Sequence, residues 1–538
     1  MSHPGLSIDP VPLQGPALAR AYIEDFPSVE DFYGAGDPGT IASYRELADG
    51  IRAAYPDSRW ETLSHLLPEL ESAAQQRLRD LIQGRGLFVA TGQQAGLFVS
   101  PLLTLYKALT AARLASQLEE ALGLPVMPLF NVASEDHDWA EVDHTYVIDL
   151  ENRLVRLSVT RPHAAGEGAA TPPVESIALD EDVERALGDL EQLTPESEFK
   201  ASVLGPLRDA YHPGRPVAAA FQAALAQLLR GHQFLFSRTA HPFVKGETRE
   251  ILWSEWERRS ESEARLIERS EAIKQAGFEP QVGVVAGATQ LFLEGGFGRD
   301  RILHDGEGAY LRRSGERLSA EELRATIERT PERVSPGALL RPVTEARAFP
   351  VLAYVGGPAE IAYLAQSRVL FERVQIPAPV IVPRAAFRII EPKVARVLEK
   401  YGIGADDLAG DAATAVRRLL NERTPAELQE SLEALRRSVA AALDEVEARA
   451  LAFDPGARSA LDTGRKAVSG SIRSLESRLQ ARVREQHGVM QGQLEKAAVN
   501  LYPGGKPQER VLTVYPFLVR YGEGLLDEIS AKVVTPLD

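Results

Sequence analysis

The chain of 538 residues contains no cysteine. That excludes disulfides, thiolate metal ligands and a cysteine nucleophile together. Any metal would have to be held by His, Asp, Glu or water. No apolar run approaches the roughly 20 residues a membrane helix needs. The opening residues, MSHPGLSIDPVPLQGPALAR, lack a basic patch followed by an apolar core. No signal peptide is therefore expected, and a cytoplasmic location is. Positive charge is scarce too: 60 Lys and Arg against 76 Asp and Glu leave a net −16. That argues against a nucleic-acid surface over the whole molecule. Two nucleotide signatures are missing as well. Gly504-Gly505-Lys506 is followed by proline and lacks the earlier glycine of GxxxxGK[ST], and no GxGxxG is well placed.

What is present is ordinary for a globular protein: 44% hydrophobic and 25% charged residues. The length predicts two or three structural units. The chain is organised around Gly86 to Lys107, GLFVATGQQAGLFVSPLLTLYK. Leu87 to Ala90 suits a buried parallel strand, and Thr91-Gly92-Gln93-Gln94-Ala95-Gly96 a glycine-marked turn. Ser100-Pro101 predicts an N-cap and first helical residue, followed by a helix carrying Leu102, Leu105, Leu109 and Ala112. A strand, glycine loop and helix in that order point N–H groups and a positive helix end at an anion.

The N-terminal region, 1–84, is expected to form a helical arm with Tyr22, Phe26, Phe32 and Tyr33 packed on a core at 85–400, and Trp60 to Leu81 continuing as helix. Leu124 to Val132 predicts a second strand running into Glu135-Asp136-His137-Asp138. Thr145–Leu150 and Leu154–Val159 alternate like a hairpin, and Arg161 to Pro173 reads as a surface loop. Glu181 to Ala226 is mainly helical, Gln233 to Ser237 a strand, and Glu247 to Gln275 one long helix closed by Gly277. Val282 to Glu294 alternates like strands before a Gly295–Gly298 turn. Leu339 to Pro342 and Phe349 to Val355 predict a strand and its approach. Gly356-Gly357-Pro358 then makes a second strand–glycine–helix junction, and Ala378 to Arg384 a further strand. In a doubly wound sheet the two junctions could meet at the switch crevice.

From 401 to 500 the pattern becomes heptad-like. Leu428, Leu432, Leu435, Val439, Ala442 and Val446 precede an Asp454-Pro455-Gly456 break. Val468, Ile472, Leu475, Leu479, Val483, Gln486, Met490 and Leu494 follow it. This predicts an antiparallel coiled-coil hairpin, with Gln486 helping to set register. A face left uncovered would favour a homodimer. The tail, 501–538, is expected to dock back on the core.

Three clusters carry the candidate chemistry. Thr91, Gly92, Gln93, Gln94 and Gly96, with Lys107 reaching back, form a candidate anion loop. Glu135, Asp136, His137 and Asp138 place acids and an imidazole after a buried strand, which suits general acid–base work or oxygen-and-imidazole metal binding. No HExxH is present. Tyr354, Gly356, Gly357, Glu360, Tyr363 and Arg384 flank the second junction, where a guanidinium could clamp a carboxylate. A metal-dependent hydrolase on Glu135 to His144, and a catalytically silent coiled-coil scaffold, remain alternatives.

TGQQAGLF with PLLTLYK, ASEDHDWAEVDH, LLRPVTEARAFPVLAYVGGPAEIAYLAQ, PVIVPRAAF and GKPQERVL occur in one order across the whole chain. Together they resemble the bacillithiol synthase (BshC) family of cysteine-adding enzymes. The resemblance implies an α/β fold: a Rossmann-like, nucleotidyltransferase-type core with inserted connecting segments, expected near 151–230 and 280–335, and a long antiparallel coiled-coil domain. It implies a homodimer. It implies a ligase that joins cysteine to the amine of glucosaminyl malate, with ATP as the suggested activator, and it leaves any metal requirement open. On that reading the Thr91–Gly96 loop holds the nucleotide's anionic part. His137, oriented by Glu135 or Asp136, accepts the amine proton, and Arg384 with Gly356-Gly357 positions substrate.

Overall fold

A computed structural model describes residues 5–161, 172–305, 308–422 and 426–538, without the side chains of 420–422, 426–429 and 480–487. Most of the expected Arg161–Pro173 loop, and the side chains of Leu428, Val483 and Gln486, lie outside the described residues. The chain divides into two compact units, 1–389 with 508–538, and 390–507.

The first unit is built on five parallel strands: β1 (Leu87–Gln93), β2 (Val126–Val132), β3 (Leu235–Arg238), β4 (Val351–Gly356) and β5 (Val380–Pro383). Their order is β5-β4-β1-β2-β3. The chain therefore winds outward from β1 in both directions, and the switch point falls between β1 and β4. All seven residues of β2 and all six of β4 are buried, as apolar runs covered on both faces must be. Pairing Ala353 with Val89 and Tyr354 with Ala90 brings the two glycine-marked strand ends side by side. The Thr91 hydroxyl fastens them by donating to the Val355 carbonyl at 2.8 Å.

Six further helices matter below: α1 (Leu103–Leu122), α2 (Pro242–Glu257), α3 (Arg341–Ala348), α4 (Pro358–Val374), α5 (Ala426–Phe453) and α6 (Arg458–Leu501). Several expectations are corrected. Ser100 does not cap α1, which starts at Leu103 without a side-chain cap. The Leu102 N–H instead donates to the Leu512 carbonyl of the tail. Leu339 to Pro342 opens helix α3 rather than approaching β4, with Pro342 in the first turn where no N–H is needed. The helix expected from Glu247 to Gln275 breaks at Arg258 into α2 and Arg259–Gln275. Trp60 to Leu81 is also broken: a helix over Asp57–Thr62 tightens through Leu63–Glu69, around Pro68, and regular helix resumes over Ser72–Gly84. The strand expected from Val282 begins at Ala288.

Other expectations hold. His144–Ile148 pairs antiparallel with Leu154–Ser158, and Gly295 faces Gly298 across a hairpin turn. That second hairpin belongs to an antiparallel five-stranded sheet spanning residues 288–336. The N-terminal aromatics pack on the core. Tyr22 and Tyr33 are buried, and their hydroxyls donate to the Ile381 and Ile361 carbonyls. The tail packs there too: the Thr513 hydroxyl donates to Phe98 O at 2.7 Å, and Asp538 pairs with Arg113.

In the second unit α5 and α6 meet at the expected Asp454-Pro455-Gly456 turn, where the Asp454 carboxylate accepts from Gly456 N. Cross-helix ion pairs join Arg436 to Glu476 and Arg465 to both Asp444 and Glu447. Leu432, Val439, Ile472 and Leu479 are half-buried along the seam. Leu435, Val446, Val468 and Leu475, also expected in the seam, are exposed. At the far end of α6, Met490, Leu494, Ala497 and Leu501 join Val394, Leu398, Leu408 and Val416 in a small core.

Candidate active site

A cavity of about 460 Å³ opens at the carboxyl ends of β1, β2 and β4. That is where open parallel sheets bind ligands. Gly92, Gln93 and Gln94 of the first junction line it together with Gly357, Pro358 and Ala359 of the second. Gly92 is needed for packing: a Cβ there would stand 2.6 Å from the Asn131 carbonyl oxygen. Gly96 serves the turn in the same way, its missing Cβ leaving room for Ser100 O at 2.2 Å. Thr91, Gly96 and Gly356 support the two junctions without lining the cavity.

Lys107 is buried on α1 and does reach back to the loop. Its Nζ donates to Gly92 O at 2.8 Å and to Gln93 Oε1 at 3.0 Å, and forms an ion pair with Glu360. Glu360, in the first turn of α4, also accepts from Gly357 N and from the Tyr354 hydroxyl, each at 2.8 Å. Burial alone would raise the Glu360 pKa. The Lys107 charge and these hydrogen bonds outweigh it and hold the carboxyl below its ordinary value.

Arg384 is not a free clamp. Its guanidinium binds Glu509 bidentately, at 2.7 and 2.5 Å, with both side chains buried. Arg341, expected only in the approach to a strand, is a second guanidinium at the cavity. It lines the cavity from the start of α3, and its nearest polar partner is the Tyr363 hydroxyl at 3.4 Å. Among the described residues no carboxylate lies within ion-pairing distance of Arg341 or of Arg510, which also lines the cavity. Burial works against the Arg341 charge, but Tyr363, Tyr354 and Glu360 outweigh it and raise its pKa.

The acidic run after β2 is dispersed. Of its four proposed catalytic residues only Asp136 lines the cavity, joined there by Glu141. Asp136 Oδ2 accepts from Gln94 Nε2 at 2.8 Å, and Oδ1 accepts from His137 N at 2.8 Å. Burial would raise the Asp136 pKa, yet these bonds and the nearby Arg299 charge lower it. Glu135 turns inward to an ion pair with buried Lys245 of α2, which explains its burial without a catalytic task. Asp138 is exposed. The His137 ring is outside the cavity lining, 3.6 Å from Asp136 Oδ1, and burial followed by Arg299 lowers its pKa. The imidazole expected as the base is thus not among the groups that surround the cavity. Among the described residues no three His, Asp or Glu side chains gather as a metal site. Asp143 and His144 bond to each other on the hairpin instead.

Arg341 and Arg510 had no candidate role from sequence, and neither did two further residues. Glu345 of α3 and Asn131 of β2 both line the cavity, and Asn131 Nδ2 donates to Glu345 Oε2 at 3.0 Å. Only helix α3 could have flagged Glu345, since an acid four residues after Arg341 shares its helix face.

A parallel sheet wound both ways from β1, with a polar cavity at its switch point, defines a Rossmann-like α/β ligand-binding protein joined to a helical hairpin. Residues 7–385 match the family described as "Bacillithiol biosynthesis BshC, N-terminal Rossmann-like domain". Residues 387–536 match "Bacillithiol biosynthesis BshC, C-terminal coiled-coil domain". The chain belongs to the BshC family. Among its relatives, a Salinibacter ruber protein is 30% identical over 97% of this chain and 94% of its own length. One from Koribacter versatilis is 31% identical over 88% and 87%, and one from Chlorobaculum tepidum 29% over 91% and 90%. Each carries the name "Putative cysteine ligase BshC".

Proposed function

We propose that this protein joins the carboxyl of L-cysteine to the amine of glucosaminyl malate, forming the amide of bacillithiol. The observation that carries this reading is the mixed charge of one cavity. Among the described residues no carboxylate forms an ion pair with Arg341 or Arg510, and no cation forms one with Glu345. A substrate with malate carboxylates at one end and an amine at the other complements both.

An amide does not form from a free carboxylate without activation. ATP is the proposed activator, and when bound it converts the cysteine carboxyl oxygen into a leaving group. The residues suit an anionic group: the N-terminal end of α4, with Pro358 and Ala359 at the cavity, and the two unpaired arginines. In this reading Gly92, Gln93, Gln94 and Gly357 shape the floor. Lys107, Tyr354 and Glu360 hold the two junctions at fixed spacing, and Tyr363 orients Arg341. Asp136 fixes Gln94. Bringing two reactants together in one enclosed site removes much of the entropic barrier.

The exposed apolar residues Leu435, Val446, Val468 and Leu475 support a homodimer through the coil. No helix among the described residues is long and apolar enough to cross a membrane, in keeping with the proposed cytoplasmic location. The test is incubation with cysteine, glucosaminyl malate and each nucleoside triphosphate in turn, with product masses measured. Bacillithiol formed with one of them is expected. No amide product with any of them overturns the reading.

A further inference from the structure

Arg341 and Arg510 answer to carboxylates, but the Asn131–Glu345 pair needs a different ligand. Both residues are buried, 5% and 7% exposed, and both line the cavity. Their mutual hydrogen bond uses Asn131 Nδ2 and Glu345 Oε2. The two remaining oxygens, Asn131 Oδ1 and Glu345 Oε1, are buried without a hydrogen-bond partner. Buried acceptors are rarely left so, because the lost hydration is not returned. Two unmet acceptors on one hydrogen-bonded pair of side chains suit a group with several N–H donors and repel carboxylate or phosphate. An amine is such a group.

We propose that Asn131 and Glu345 seat the attacking amine of the sugar substrate and that Glu345 Oε1 accepts its proton. This rests on the amide-forming reading above. The nitrogen lone pair forms the C–N bond to the activated cysteine carbonyl carbon. The bond from that carbon to the carboxyl oxygen that carries the phosphoryl or nucleotidyl group, taken from a nucleoside triphosphate, breaks, and that oxygen leaves with the electron pair as part of phosphate or nucleoside monophosphate. The amine N–H proton passes to Glu345 Oε1 and later to water.

The surroundings fit a base that works near neutral pH. Burial raises the Glu345 carboxyl to about 7, against the opposing pull of Asn131, Arg341 and Lys107 and with some help from Glu360. Tyr354 of β4 and Tyr363 of α4 complete the titratable groups that act on it. A carboxyl balanced in this way can take a proton from an amine and release it again.

The experiment compares full-length wild type with Glu345→Gln and Glu345→Asp. Three quantities are read: amide formation against pH, nucleotide-dependent activation of cysteine alone by isotope exchange, and proton exchange with buffer when glucosaminyl malate binds. Glu345→Gln should lower kcat for amide formation about 100-fold or more. It should remove the acidic limb near pH 7 and leave cysteine activation within about twofold. Glu345→Asp should recover part of the rate and keep the limb. Retention of both rate and limb in Glu345→Gln overturns the proposal. So does an equal loss of cysteine activation, which would put the cysteine ammonium at this pair. If wild type makes no amide with any nucleotide, the functional reading fails by itself. Proton exchange on binding then still decides whether Glu345 meets the amine: a difference between wild type and Glu345→Gln supports it, and identical values overturn it.

Discussion

Lys107 and Glu360 form an ion pair across the switch point, joining the helix after β1 to the first turn of the helix after β4. The same lysine holds the Gly92 carbonyl, and the same carboxylate holds the Gly357 N–H. The two glycine junctions are thereby locked to each other through one pair of charges. The cavity owes its shape to this lock, since neither loop has a regular ladder beyond its strand end.

Lys107→Met should break the lock. It leaves Glu360 largely buried without its cation, at a cost of about 3 kcal/mol or more. The Glu360 carboxyl is held below its ordinary pKa, so it stabilises the fold above about pH 4.5 and loses that contribution as pH falls further. Urea denaturation should show a lower midpoint for Lys107→Met at pH 7. The gap to wild type should narrow in acid. An unchanged midpoint at neutral pH would contradict the lock.

Arg341→Met should act on binding more than on folding, because among the described residues no carboxylate forms an ion pair with this guanidinium. Losing a charged hydrogen-bonding partner is worth roughly 1.5–3 kcal/mol. The KM for glucosaminyl malate should rise by about ten- to a hundredfold, with the KM for cysteine little changed. Steady-state kinetics with each substrate varied in turn would check this. A rise confined to cysteine would assign Arg341 to the other substrate.

Glu345 makes a separate prediction about stability. Its folded pKa, raised to about 7, means the native state keeps a proton that the unfolded chain has already lost. Stability from this group is highest below about pH 4.5 and declines as pH rises to about 7, by about 3 kcal/mol in total. Glu345→Gln should flatten that decline. Denaturation midpoints at pH 5 and pH 8, compared between the two proteins, give the answer.

His137→Ala and Gln93→Ala should behave differently. The His137 ring stands outside the cavity lining, so its loss should change kcat by less than about fivefold, short of the usual contribution of a general base. Gln93 lines the cavity and carries a bond from Lys107, so its loss should raise KM and lower stability modestly. A hundredfold fall in kcat for His137→Ala would restore the imidazole as the base.

Gly92→Ala tests the packing at the first junction. The new methyl would meet the Asn131 carbonyl oxygen at 2.6 Å, a backbone atom that cannot swing aside. A loss of about 1–3 kcal/mol is expected, with displacement of Asn131 and hence lower activity. Wild-type stability together with full activity would show that β1 and β2 can separate freely there.

Much of this protein was determined by sequence alone, because the deciding forces are local. Leu87 to Ala90 is apolar enough to be buried on both faces, glycines end β1 and β4, and Pro358 opens α4 where no N–H is required. The heptad spacing on both sides of Asp454-Pro455-Gly456 sufficed for the hairpin, and the ordered motifs sufficed for the family. What the tertiary structure alone decided is which charges meet. Asn131 finds Glu345 across 214 positions, and Arg384 finds Glu509 across 125. Glu135, read as a catalytic acid, is claimed by Lys245, whereas Glu345 in an unremarked helix turn forms no ion pair among the described residues. The reason is physical: a side chain's burial depends on its own residue and near neighbours, but a buried charge is governed by whatever distant segment the sheet order brings beside it.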